Sequence, residues 1–256
     1  MRTVRATRYV LALREGGSLP AIVEADDLGM YVTKFRGAGQ GPLALVAELV
    51  AGQIGCLLGL RVPEIVLVET DSLLGRSDPD AEIRHLLKAS VGLNLGLDYL
   101  PGSTMFDPAA GDTATAEMAS MTVWFDAFVQ NVDRTARNAN LLMWHRQPYP
   151  IDHGAALFFH HNWSTAEDKI AAPLAGVGQH VLLPWASGIA EAGVEARQRI
   201  TEGELVRILD QVPEAWIATS DCSVGSMRER YLRYLMLRLR ASQSFEEEAR
   251  VAHQSL

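Results

Sequence analysis

Lysine, cysteine and long apolar runs are all scarce in this chain of 256 residues, and each scarcity excludes something. No apolar stretch reaches the roughly 20 residues that a membrane helix needs, so no membrane span is expected. The opening MRTVRATRYVLALREGG places basic residues before a short apolar stretch with no small-residue cleavage site, and no signal peptide is expected. Cys56 and Cys222 are the two cysteines, far apart and without the close spacing of a metal site or a disulfide framework, which fits a reducing cytoplasm. Positive charge is in deficit as well. A net charge of −8 and a pI near 5.4 argue against a protein whose task is to neutralise nucleic-acid phosphates. There is no internal repeat and no low-complexity segment.

What is present is an ordinary globular composition, 48% hydrophobic and 21% charged, enough for a sizeable core in one large domain or two small lobes. The first hundred residues read as strands around one helix. Arg8 to Leu13, Ala21 to Glu24 and Met30 to Phe35 form an antiparallel meander, Leu43 to Leu58 has helical spacing, and strands follow at Glu64 to Glu69 and His85 to Leu100. Beyond Pro101-Gly102 the chain is mainly helical. Thr113 to Val132 is a helix capped by Asp112-Thr113, Asn140 to Trp144 and Tyr149 to Ile151 read as a β-hairpin, and Ser226 to Arg250 reads as one long charged helix.

Of the 23 basic residues only Lys34, Lys88 and Lys169 are lysines, so a lysine closing the strand Tyr31-Val32-Thr33-Lys34-Phe35 calls for a reason. Downstream stand the loop Asn131-Val132-Asp133-Arg134-Thr135-Ala136-Arg137-Asn138 and, after the hairpin, Ile151-Asp152-His153-Gly154. Phosphoryl transfer needs a cation on the nucleotide phosphates, an acid that orients the attacking hydroxyl, and oxygen ligands for Mg²⁺. Lys34, Asp133 with Asn138 five residues on, and Asp152 occur in the order in which a protein-kinase-like chain supplies them.

On these residues the chain resembles the HipA-like kinases, a branch of the protein-kinase-like superfamily related to the phosphatidylinositol kinases. The family pattern is Asn-x-Asp-Arg-His-x-Lys-Asn followed by two residues and Leu-Leu; here Thr135 takes the place of the histidine, Arg137 that of the lysine, and Leu141-Leu142 close the motif. Gly16-Gly17-Ser18-Leu19-Pro20 resembles the family's phosphate loop, and Glu48 its helix glutamate. The resemblance spans about residues 8 to 160. It implies an α+β, two-lobed protein-kinase-like fold: residues 1–100 as a small lobe with an antiparallel β-sheet, residues 101–256 as a helical lobe, and a hinge near Tyr99-Leu100-Pro101. It implies ATP and Mg²⁺ as cofactors, Asp133 and Arg137 as catalytic residues, and Asn138 and Asp152 as metal ligands. Gly16, Gly17, Ser18, Lys34 and Glu48 would hold the nucleotide, and Ser18 is a candidate for autophosphorylation. The expected partner is a protein or small-molecule hydroxyl substrate, most of all Ser or Thr of a protein, with a regulatory protein partner also expected.

Plainer readings stand beside each piece. Lys34 could snorkel from a strand edge, the Gly pair could mark any tight turn, Glu48 could be a solvated helix residue, and Asn138 could cap a helix. His153, His160 and His161 with Asp152 could suggest zinc, but adjacent histidines direct their rings apart. The rival functions are a nucleotide-binding pseudokinase or regulatory protein without turnover, and an interaction module built on the C-terminal helix.

Overall fold

A computed structural model describes residues 1–13, 19–76 and 78–256. The expected phosphate-loop residues Gly16, Gly17 and Ser18 lie outside the described residues. The strands β1 (Thr3–Ala12), β2 (Ala21–Ala25) and β3 (Met30–Lys34) form the expected meander, and the helix α1 (Gly41–Leu57) follows. Between β4 (Ile65–Thr70) and β5 (Gly92–Asp98) lies a helix, α2 (Ala81–Ala89), where the sequence predicts a strand from His85. Its apolar positions Ile83, Leu86 and Leu87 follow a helical period, and Asp80 caps it by accepting from the Glu82 N–H at 2.9 Å.

The five strands close into a barrel in the order β1, β2, β3, β5, β4. This corrects the purely antiparallel sheet expected: β1 pairs with β4 in parallel, Thr3 to Arg5 beside Leu67 to Glu69. The interior holds Val4, Val23, Tyr31, Val66 and Val68, with Leu86 and Leu87 of α2 packed onto the same cluster. At Gly96 of β5 a Cβ would meet Val68 at 2.6 Å and Val66 at 3.0 Å, so only glycine lets the wall pass there.

Helix α1 is buried on nearly every side from Leu45 to Gly55, which a surface helix could not be. It touches β4 and β5 of the barrel and, on the other side, helices of the second half. After β6 (Thr104–Met105), α3 (Ala116–Val129) starts at Thr115, whose hydroxyl accepts from the Met118 N–H, and ends at Gln130 in the left-handed region with φ 58°. The ribbon β7 (Leu141–Trp144) and β8 (Gln147–Pro150) turns through His145 and Arg146, both with positive φ, as a two-residue hairpin requires. Pro148 belongs to β8, an edge strand, where its missing N–H costs no ladder bond.

The remainder is α4 (Ile189–Arg199), α5 (Glu202–Leu209), the short α6 (Glu214–Ile217), α7 (Val224–Arg240) and α8 (Gln243–Gln254). The tail expected as one charged helix breaks at Ala241-Ser242. One face of it is buried rather than solvated: Tyr231, Leu235, Arg238 and Phe245 lie in the core. No helix among the described residues is long and apolar enough to cross a membrane.

Candidate active site

Glu48 is the one charged residue in the buried stretch of α1, and it has no exposure to solvent. A buried carboxylate survives only with partners. Its Oε2 accepts from Lys34 Nζ at 2.6 Å, and its Oε1 lies 3.3 Å from His153 Nδ1. Lys34 also donates to Asp152 Oδ1 at 2.5 Å, so one ammonium at the end of β3 joins α1 to the segment after β8. Burial alone would lower the Lys34 pKa; the charges of Glu48 and Asp152 outweigh it and hold the group above the ordinary lysine value. Burial would likewise raise Glu48, but the Lys34 charge and the contact with His153 hold it far below the usual carboxylate range. The solvated reading of Glu48 is thereby replaced, and Lys34 does not snorkel.

Asp152 differs from Glu48. Its side chain is about half exposed, 49% against 0%, and its backbone has φ 56°. Aspartate tolerates the left-handed region better than most residues, and the conformation turns the chain sharply between the hairpin and His153. His153 is fully buried, its ring edge-on to Phe125 with centroids 5.5 Å apart.

The loop after α3 forms the second part of the site. Asp133 Oδ2 accepts from Asn138 Nδ2 at 3.1 Å and from Asn140 Nδ2 at 3.3 Å, and Oδ1 has no partner among the described residues. Asn138 spends a side-chain N–H on Asp133, and its side-chain Oδ1 has no partner among the described residues. Asn140, at φ 45°, links the two parts: its side chain reaches Asp133, and its backbone carbonyl accepts from the Ile151 N–H at 3.0 Å, one residue before Asp152. Arg137 is exposed and makes no ion pair or hydrogen bond among the described residues.

This loop stands on a buried triad that the motif alone does not reveal. Arg134, 1% exposed, donates from Nε to Asp126 Oδ2 at 2.6 Å and from its terminal nitrogen to the Asn140 carbonyl. His180 donates from Nε2 to the same Asp126 oxygen at 2.9 Å, its tautomer set because Nδ1 accepts from the Leu182 N–H. Burial opposes the charge on Asp126, but Arg134 and His180 prevail and hold its pKa at about 2. An aspartate inside the apolar run Trp124-Phe125-Asp126-Ala127-Phe128 is the signal that would have revealed this support.

The donor set suits a hard cation. Asn138 Oδ1 and the half-exposed carboxylate of Asp152 could supply two oxygen ligands, few enough to leave room for phosphate oxygens and water in the octahedron that Mg²⁺ prefers. Among the described residues no group of three or more His, Cys, Asp or Glu side chains could hold a metal by itself.

A family model described as HipA-like kinase matches residues 8–245. Among solved structures, the crystal structure of a Helicobacter pylori proinflammatory kinase, CtkA, superposes with a TM-score of 0.61 at 12% identity, covering 99% of this chain and 98% of that one. At that identity the likeness concerns the fold. No curated protein sequence matches the chain.

Proposed function

The chain belongs to the HipA-like kinase family and is thereby a kinase-type phosphotransferase; on that premise we propose that it moves the γ-phosphate of ATP, with Mg²⁺, to a hydroxyl acceptor, Ser or Thr of a protein. The observation that carries this reading is Lys34 held by Glu48 and Asp152 at one side and Asp133 held by Asn138 and Asn140 at the other, the two joined through Asn140. In the proposed reaction Lys34 contacts the α- and β-phosphates, and Glu48 keeps its ammonium in place and charged. The free Oδ1 of Asp133 accepts the proton of the acceptor hydroxyl as that oxygen attacks the γ-phosphorus; the bond from γ-phosphorus to the β–γ bridging oxygen breaks, and ADP leaves. Asn138 and Asp152 would hold Mg²⁺, which neutralises charge on the phosphate oxygens. Arg137, without a partner among the described residues, is available to the transferring phosphate. The two-lobed division at about Leu100, with ATP in the cleft, belongs to the same proposal.

Thermal melting with and without Mg·ATP, beside ADP release, tests it. ATP should raise the melting temperature of the wild type, and ADP should accumulate. Asp133→Ala should keep the ATP-induced rise and lose turnover by about a hundredfold or more. Asp152→Asn preserves shape and the left-handed turn while removing the anionic ligand, and should abolish the Mg²⁺ dependence together with turnover. A rise in melting temperature without ADP release in the wild type would identify a nucleotide-binding pseudokinase instead, and no effect of ATP at all would remove both readings.

A further inference from the structure

His153 has no part in the proposed chemistry, yet it touches the buried carboxylate on which Lys34 depends. Glu48 Oε2 is held by Lys34, and the one partner of Oε1 among the described residues is His153 Nδ1, at 3.3 Å. Both side chains are fully buried. Glu48 is ionised and can only accept, so the proton between them sits on Nδ1. The other tautomer would fail twice: it would aim a ring lone pair at a carboxylate and leave an N–H without an acceptor on Nε2, which is buried and has no partner.

The residue before His153 is Asp152. The backbone around them is pinned at Ile151, whose N–H meets the Asn140 carbonyl, and at Ala156, whose N–H meets the His153 carbonyl. Among the described residues, no backbone N–H of Asp152, His153 or Gly154 has a partner, so two side chains place this stretch. Asp152 reaches Lys34 and His153 reaches Glu48, the two halves of one ion pair.

Those two tethers are not equally durable. The Asp152 side chain is half-exposed, and in the proposed reaction both it and Lys34 turn toward the metal and the phosphates, so their contact meets competition from water and from ligand. His153 and Glu48 expose no surface and meet neither competitor. The His153 ring is also seated edge-on against Phe125 of α3, centroids 5.5 Å apart, so packing holds the donor in line.

Resting on the kinase reading above, we propose that His153 is a positioning residue for phosphoryl transfer. Its Nδ1–H holds Glu48 Oε1, and through the adjoining peptide it keeps the Asp152 carboxylate at the phosphate site while Asp152 gives up Lys34 for Mg²⁺. It touches neither substrate nor metal and acts through the two residues beside it.

Two substitutions in the full chain separate its hydrogen bond from its bulk. His153→Phe keeps the ring against Phe125 and loses the donor; His153→Asn loses the ring and keeps an amide N–H near the place of Nδ1. ADP release measured against Mg²⁺ concentration should show His153→Phe with kcat about tenfold lower and half-saturating Mg²⁺ about tenfold higher, its KM for ATP at saturating Mg²⁺ staying within about twofold of wild type. His153→Asn should recover most of both losses while melting at the lower temperature of the two. A residue that merely filled space would give the reverse order, with Phe the better substitute. Wild-type kcat and Mg²⁺ dependence in His153→Phe, or activity in His153→Asn below that of His153→Phe, overturns the proposal and leaves the kinase reading intact. Nitrogen-15 NMR of the histidine rings in the nucleotide-free wild type needs no variant: His153 should carry its proton on Nδ1, and a proton on Nε2 alone overturns the proposal even where both variants fail to fold. A wild type that neither gains stability from Mg·ATP nor releases ADP overturns the kinase reading, and the positioning role with it.

Discussion

Asp126 shows how much a single buried carboxylate decides. It receives Arg134 and His180 on one oxygen and Arg134 again with Asn131 on the other, and each of those residues either belongs to the loop after α3 or braces it. Because its pKa falls from 3.8 to about 2 on folding, the native state binds its proton less readily than the unfolded chain. Its contribution is therefore complete above about pH 4 and is lost as the pH falls toward 2, a matter of roughly 2 kcal/mol. Glu48 is depressed in the same sense and adds to the loss. Urea unfolding at a series of pH values checks this: the wild type should weaken steeply across that acid window. Asp126→Asn should be about 3 kcal/mol less stable at neutral pH, its Arg134 charge left unpaired, and should show a flatter acid limb. Equal acid slopes in the two proteins would refute the assignment.

At the scale of elements, the residues on either side of the site depend on helices that carry no site residue. Arg238 of α7 has no exposure and donates to the carbonyls of Phe128 and Ala127, in the last turn of α3, and to those of Lys169, Ile170 and Ala172. The last-turn carbonyls of a helix have no partner within it, so Arg238 caps α3 from outside just before the chain enters the loop that holds Asp133. Its guanidinium also stacks on Phe245, 4.6 Å from the ring centroid, which ties α8 to the same point. Arg238→Met keeps much of the volume and strands the carbonyls. It should cost about 3 kcal/mol, a fall in melting temperature on the order of 10 °C. Calorimetry measures that, and a fall within about 2 °C would show that water replaces the guanidinium at little cost.

Across the whole molecule, the sequence made legible what is local or sparse. The meander, α1, α3 and the hairpin follow from periodicity and turn chemistry, and Lys34 stood out because lysine is rare. The spacing of Asp133 and Asn138 foretold a contact the structure contains. Hidden were the pairings that join distant segments: β1 with β4, His153 with Glu48, His180 with Asp126, and Arg238 with α3. Periodicity reports which face of an element is apolar and says nothing of which partner covers it. The α2 segment was misread for a narrower reason, since its Leu86-Leu87 is followed within a few residues by the alternating Leu93, Leu95 and Leu97 of the true strand β5.

Lys34 finds Glu48 only 14 residues away but Asp152 at a separation of 118. That disparity has a meaning in time. Closing a long loop costs more entropy than closing a short one, and chains of this size gather native structure in stages. The Lys34–Glu48 pair can form as soon as β3 and α1 meet, while the Asp152 bridge must wait until barrel and helices are both assembled. Refolding from urea, followed in parallel by far-ultraviolet circular dichroism and by fluorescence of a nucleotide analogue, should therefore show helix and strand signals returning first and nucleotide capture lagging behind them. Coincident curves would mean that the chain acquires its secondary structure and the Lys34–Asp152 bridge in a single concerted event.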